Sequence, residues 1–280
     1  VSGLYELMSS LLPFAWAEPM FMKRALIAVL LVAPACAAMG VMVVNFRMAF
    51  FSDAISHSAF TGVALGVLFG IDPLYTLIGF GVLVGLAIVS VRQRSTLSVD
   101  TVIGVFFSFA VALGIVIISA RKSLTRDLQT YLYGDVLSVT GHEIIGMLIL
   151  LIVCAAFLAL FFNDLFLIGI NERLAKAHGI NVRFLEYAYA LLLSLVVTVS
   201  IRVIGLLLVT AMLVVPAAAG RNLARSVRSM FWASIIIGLV SAVSGLISSF
   251  YFDSATGATI ILCAAALFLM SQVWAAVRGQ

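Results

Sequence analysis

The chain has 280 residues, of which 64% are hydrophobic and only 10% charged, with a formal net charge of +4. A soluble domain carries about a quarter charged residues, so this composition excludes a water-soluble enzyme, and the small excess of Lys and Arg suits loops facing an anionic leaflet better than a nucleic acid. Apolar stretches of about 20 residues recur from end to end, which predicts an all-α, polytopic protein of the cell membrane with a single transmembrane domain.

Residues 1–19 read as an amphipathic segment lying on the surface, through Leu4, Met8, Leu11, Leu12 and Trp16. Lys23 and Arg24 follow it instead of preceding an apolar core, so a cleavable signal peptide is not expected. Residues 20–280 form the transmembrane domain, with apolar segments at about 25–44, 52–70, 73–91, 101–120, 143–162, 185–201, 203–219, 229–250 and 258–277. Asp72-Pro73 divides the second from the third. Ile201-Arg202 is the one interruption between the sixth and seventh, so eight or nine crossings fit. With the N-terminus outside and the C-terminus inside, ten of the 16 Lys and Arg residues fall on the cytoplasmic side, as the positive-inside rule prefers.

The second segment holds the chemistry. Asp53 and His57 are one helical turn apart, about 40° in azimuth, so both look out from one face. An ionisable pair in a membrane helix marks a water-lined path, a proton relay or an ion site, and an oxygen with a nitrogen donor suits zinc, manganese or ferrous iron. An end-of-helix cap at Asp53, with His57 bonded to a carbonyl, is the plainer alternative. Gly62, Gly66 and Gly70 recur on a different face at the spacing that lets helices pack closely, with Gly81 and Gly85 of the next segment as the expected partner.

Further along, His142-Glu143 fails as a metalloprotease motif, because Gly146 stands where the second His is required. Thr140 and Glu143 suit a helix start. The loop 121–142 is expected outside and the loop 163–184 inside. The inner loop contains a short helix from Asn171 to Gly179, with Gly179 capping its C-terminus; it is either a surface helix or a docking element, and His178 faces solvent. Pro216 sits late in the seventh segment, where it removes a backbone hydrogen bond and favours a bend. Cys36, Cys154 and Cys263 lie far apart in apolar spans and read as small buried hydrophobes. No Gly-Lys dipeptide occurs, so a phosphate-cradling Walker A loop is excluded and ATP, if used, binds a separate subunit.

Several stretches, taken together, resemble the permease subunits of zinc/manganese ABC importers of the ZnuB/MntB/TroC type. They are Arg47-Met48, Ser52 to His57, Gly62 to Leu65, Asp100 to Gly104, Tyr131 to Val139, Glu172 to Gly179, and Arg202 to Pro216. Ser52 and Ser58 depart from the Gly and Ala common in that family. The resemblance implies an ABC importer permease fold, a homodimer or heterodimer of permeases, ATPase subunits below and a metal-delivering binding protein (periplasmic or a lipoprotein) above. It implies that Asp53 and His57 contact zinc or manganese in transit, with iron as a third candidate and no permanently bound cofactor. It also implies that Glu172, Ala175 and Gly179 belong to the loop that engages the ATPase, and that the permease is not itself an enzyme. Two other functional classes compete with this one. A secondary metal/proton transporter would use Asp53 and His57 as a proton relay. An intramembrane hydrolase lacks the base–nucleophile pair or metal triad it needs.

Overall fold

The computed structural model describes residues 19–120 and 139–277. These form ten α-helices: α1 Met20–Asn45, α2 Ala49–Phe69, α3 Pro73–Arg94, α4 Val99–Ala120, α5 Gly141–Ile170, α6 Glu172–Ala177, α7 Val182–Ile204, α8 Leu206–Leu223, α9 Val227–Phe252 and α10 Thr256–Val277. Eight of them are long and apolar enough to cross a membrane. The exception among the long helices is α2, whose 21 residues include Asp53, His57 and the hydroxyls of Ser52, Ser56, Ser58 and Thr61. Residues 1–18 of the N-terminal segment, and residues 121–138, which include most of the expected outer loop and the Tyr131-to-Val139 stretch up to Ser138, lie outside the described residues.

Two compact units divide the described chain. One comprises residues 19–41, 139–153 and 203–277, where α8, α9 and α10 pack on one another. Gly40 of α1 lies against the backbone of Leu213 in α8, and a Cβ at Gly238 of α9 would sit 3.0 Å from Ala37. The α8 helix continues through Pro216, which is buried and faces Gly238 of α9.

The other unit comprises residues 42–120 and 154–202 and holds α2, packed between α3 and α4. The turn into it is tight: Arg47 takes φ 55° and the Met48 amide bonds back to the Val43 carbonyl at 3.0 Å. The turn out of it is made by Gly70 at φ 69°, after which Asp72 accepts from the Leu74 amide at 2.9 Å and Pro73 opens α3. Proline at that position loses no hydrogen bond, because the first helical amides have no partner within the helix.

Three expectations are corrected here. The interruption between the sixth and seventh segments is not at Ile201-Arg202. The α7 helix runs on through Arg202, and the break falls at Gly205, with φ 82° and ψ 161°, a conformation a side chain would strain. The fifth segment does not stop near 162 but continues to Ile170, because Leu165 and Ile168 are buried and no helix breaker intervenes. The inner loop is correspondingly shorter than 163–184. Gly70, placed on the packing stripe by its spacing, instead caps α2 with nothing near it.

At the start of α5, both the backbone and the hydroxyl of Thr140 donate to the Glu143 carboxylate at 2.8 Å. His142 and Glu143 are therefore helix-opening residues.

Candidate metal-transit site

Between Phe50 and Phe60 the residues of α2 that are not buried are Phe50, Asp53, His57 and Phe60. Their spacing of three and four makes one narrow stripe along the helix. Every other side chain in that stretch is buried, so the two candidate ligands share the half-buried face of α2 there.

Neighbouring contacts fix that face. Thr61, one turn beyond His57, donates its hydroxyl to the Ala110 carbonyl of α4. Gly114 of α4 lies against Thr61 and Phe60, where a Cβ would approach the Phe60 ring at 2.9 Å. With α4 held so closely, Phe107 meets the His57 imidazole edge to face, with ring centroids 5.0 Å apart and an interplanar angle of 83°. Phe107 was not legible as a site residue, since one aromatic among many in an apolar span carries no signal.

The hydroxyls of α2 mostly turn back on their own helix. Ser52 donates to the Ala49 carbonyl at 3.2 Å and Ser58 to Ile55 at 2.7 Å, and both are buried. The two departures from the family pattern therefore lie off the open stripe. Ser56 is also buried, and its hydroxyl has no hydrogen-bond partner among the described residues.

The glycines hold α2 against α3. A Cβ on Gly62 would come within 2.8 Å of both the Leu77 Cα and the Thr76 carbonyl oxygen, and one on Gly66 within 2.9 Å of the Pro73 Cα. Gly81 and Gly85 do not face this pair. A Cβ on either would meet Thr198 or Ser194 of α7 first, and would lie 3.4 Å from the Ile55 side chain of α2.

The short helix α6 is capped by Asn171, whose side chain accepts from the Leu174 amide at 3.1 Å. Glu172 and Lys176 pair across one turn at 2.6 Å, and Gly179 closes the helix at φ 77°. Ala175 is fully buried while its neighbours from Asn171 to Gly179 are exposed, His178 included. The helix thus rests on one small side chain and presents the rest outward.

The profile of the ABC 3 transport family matches residues 18–275. The chain belongs to the ABC 3 transport family. It is 32% identical to the high-affinity zinc uptake system membrane protein ZnuB of Haemophilus influenzae, over 84% of this chain and 90% of that protein. It is 35% identical to the manganese transport system membrane protein MntC of Listeria innocua, over 92% of each. The solved structure of PsaBC from Streptococcus pneumoniae in complex with a Fab superposes with a TM-score of 0.78 at 32% identity, covering 97% of this chain and 95% of that one. This ABC 3 family member is accordingly a multi-pass permease of the cytoplasmic membrane, and membership sets aside the secondary-transporter reading.

Proposed function

We propose that this ABC 3 permease carries a divalent transition metal, zinc or manganese with iron as the third candidate, into the cytoplasm between Asp53 and His57 of two permease copies. The observation that carries the reading is the open stripe of α2. A carboxylate and an imidazole facing lipid are costly, whereas a second copy, identical or related, facing them would supply two oxygens and two nitrogens to one ion. Among the described residues no cluster of three or more His, Cys, Asp or Glu forms within one chain, which fits a site completed across two protomers. Protons compete for both donors, so acid weakens metal binding. The site must also release its cargo, which favours modest affinity.

Orientation has support in the unit that holds the site. Asn45 at the end of α1 donates to the Phe166 carbonyl near the end of α5 at 3.2 Å. Arg92 at the end of α3 reaches Met48 before α2 and Glu186 at the start of α7. These helix ends carry Arg47, Arg92, Arg94 and Arg183, and the chain joining α5 to α7 adds Arg173 and Lys176. We assign this basic end to the cytoplasm, with the N-terminus outside and residues 20–280 as one transmembrane domain preceded by an amphipathic segment. The exposed helix α6 then faces inward, where Glu172, Ala175 and Gly179 form the surface that meets a separate ATPase subunit. A metal-binding protein delivers the ion from the other side. The permease does no chemistry of its own. ATP binding in the partner moves α6 and switches the pair of permeases between two access states.

The test is metal uptake by vesicles carrying the assembled transporter. Asp53→Ala and His57→Ala should each abolish uptake while membrane insertion and assembly with the ATPase persist. Normal uptake by both variants would end the reading.

A further inference from the structure

We infer that Arg92 and Glu186 link the inward-facing helix α6 to the helix that carries Asp53 and His57, acting as positioning residues in transport. This inference rests on the importer reading above. Glu186, one turn into α7, is the one charged side chain among the buried residues described, at 5% exposure. Arg92 Nη2 lies 3.2 Å from Glu186 Oε1, and Gln93 Nε2 donates to Glu186 Oε2 at 2.8 Å. The other arm of the guanidinium, Nη1, donates to Met48 Sδ at 3.4 Å. Met48 is the residue immediately before α2.

The chain from α6 to Glu186 is short and hydrogen-bonded at both ends. The Ile180 amide bonds back to the Ala175 carbonyl at 3.2 Å, and the Asn181 side chain accepts from the Phe184 amide at 3.2 Å. A displacement of α6 therefore reaches the first turn of α7 with little slack. From there it passes through the Glu186–Arg92 pair to Met48, about one helical turn from Asp53. All of these residues belong to the same compact unit.

Chemistry favours this role over a simple brace. Burying the Glu186 carboxylate beside a guanidinium that is itself 20% exposed is costly, and a well-packed apolar pair usually holds helices at least as firmly. The guanidinium, however, touches two elements at once, as an ion pair with Glu186 and a hydrogen bond to the Met48 sulfur, and its hold depends on geometry.

The experiment uses the complete transporter in proteoliposomes, with manganese or zinc supplied on its binding protein, and records metal uptake and ATP hydrolysis together. Glu186→Gln and Arg92→Gln should each lower the number of ions moved per ATP about tenfold, a size usual for coupling between sites. Metal affinity and complex yield should stay close to those of the unchanged protein. The double variant should be no worse than either single one, and exchanging the pair (Arg92→Glu with Glu186→Arg) should restore most of the ratio. An unchanged ratio in the single variants overturns the inference. So does a loss of assembled complex that the exchange fails to recover, since the pair would then serve folding alone. Failure of the importer reading shows separately, as normal uptake by the Asp53 and His57 variants.

Discussion

The helices α2 and α5 are both long enough to span a membrane, and they use their side chains in opposite ways. In α5, 30 residues long, only 17% of the most apolar stretch is buried. In α2, the one long helix without a stretch apolar enough to count as a membrane span, twelve of 21 residues are buried against the rest of the protein. Water would impose the reverse order. In a bilayer, lipid tails solvate Leu and Ile as well as a protein core does, so apolar character alone draws no helix inward. Enclosing α2 keeps from lipid the hydroxyls, carboxylate and imidazole that lipid would not tolerate, although the apolar α1 is enclosed as well, with 72% of its most apolar stretch buried. The part of α2 between Phe50 and Phe60 that escapes burial is then informative, because it holds Asp53 and His57.

Paired substitutions can break this contrast. Ile55 of α2 is fully buried where α3 and α7 meet it. Ile55→Ala should cost about 2 kcal/mol or more through the cavity it leaves, read as a lowered unfolding midpoint of the purified protein. Ile152 of α5 is 58% exposed, and Ile152→Ala should stay within about 0.5 kcal/mol. Equal losses at the two sites would show that α5 is as enclosed as α2. A smaller but cleaner pair uses glycines. Gly62→Ala forces a methyl against the backbone of Leu77 and should cost about 1–3 kcal/mol by overpacking. Gly146→Ala on α5 meets nothing within 4 Å and should leave the midpoint unchanged or slightly raised.

Much of this contrast was legible in the sequence. Spacing alone placed Asp53 and His57 on one face of the second span, and the Thr140–Glu143 start and the Asn171–Gly179 turn of helix follow from residues whose preferences are local. Features that depend on what lies across the bundle were hidden. Gly62, Gly66 and Gly70 form one repeat in sequence, yet the first two meet α3 and the third ends the helix, since the chain reverses at Asp72-Pro73. The break at Gly205 was masked by Arg202, a charge that the end of a long helix accommodates on its exposed side. The Arg92–Glu186 contact joins residues 94 positions apart and leaves no local trace. Asp164, within the stretch expected as the inner loop, sits half-buried inside a continuous helix.

The smallest expected effect bears most directly on the stripe. Thr61 ties α2 to α4 by one hydrogen bond to the Ala110 carbonyl, and that carbonyl also serves its own helix. Thr61→Val keeps the shape and deletes the donor, and interhelical bonds of this kind in membranes contribute about 0.6 kcal/mol on average. The midpoint should barely move. Metal uptake should suffer more than stability, because the same contact holds Phe107 edge-on to His57 and so orients the imidazole on the open face. A loss of uptake no larger than the stability change predicts would mean that His57 is held by α2 alone, and that α4 covers the site without positioning it.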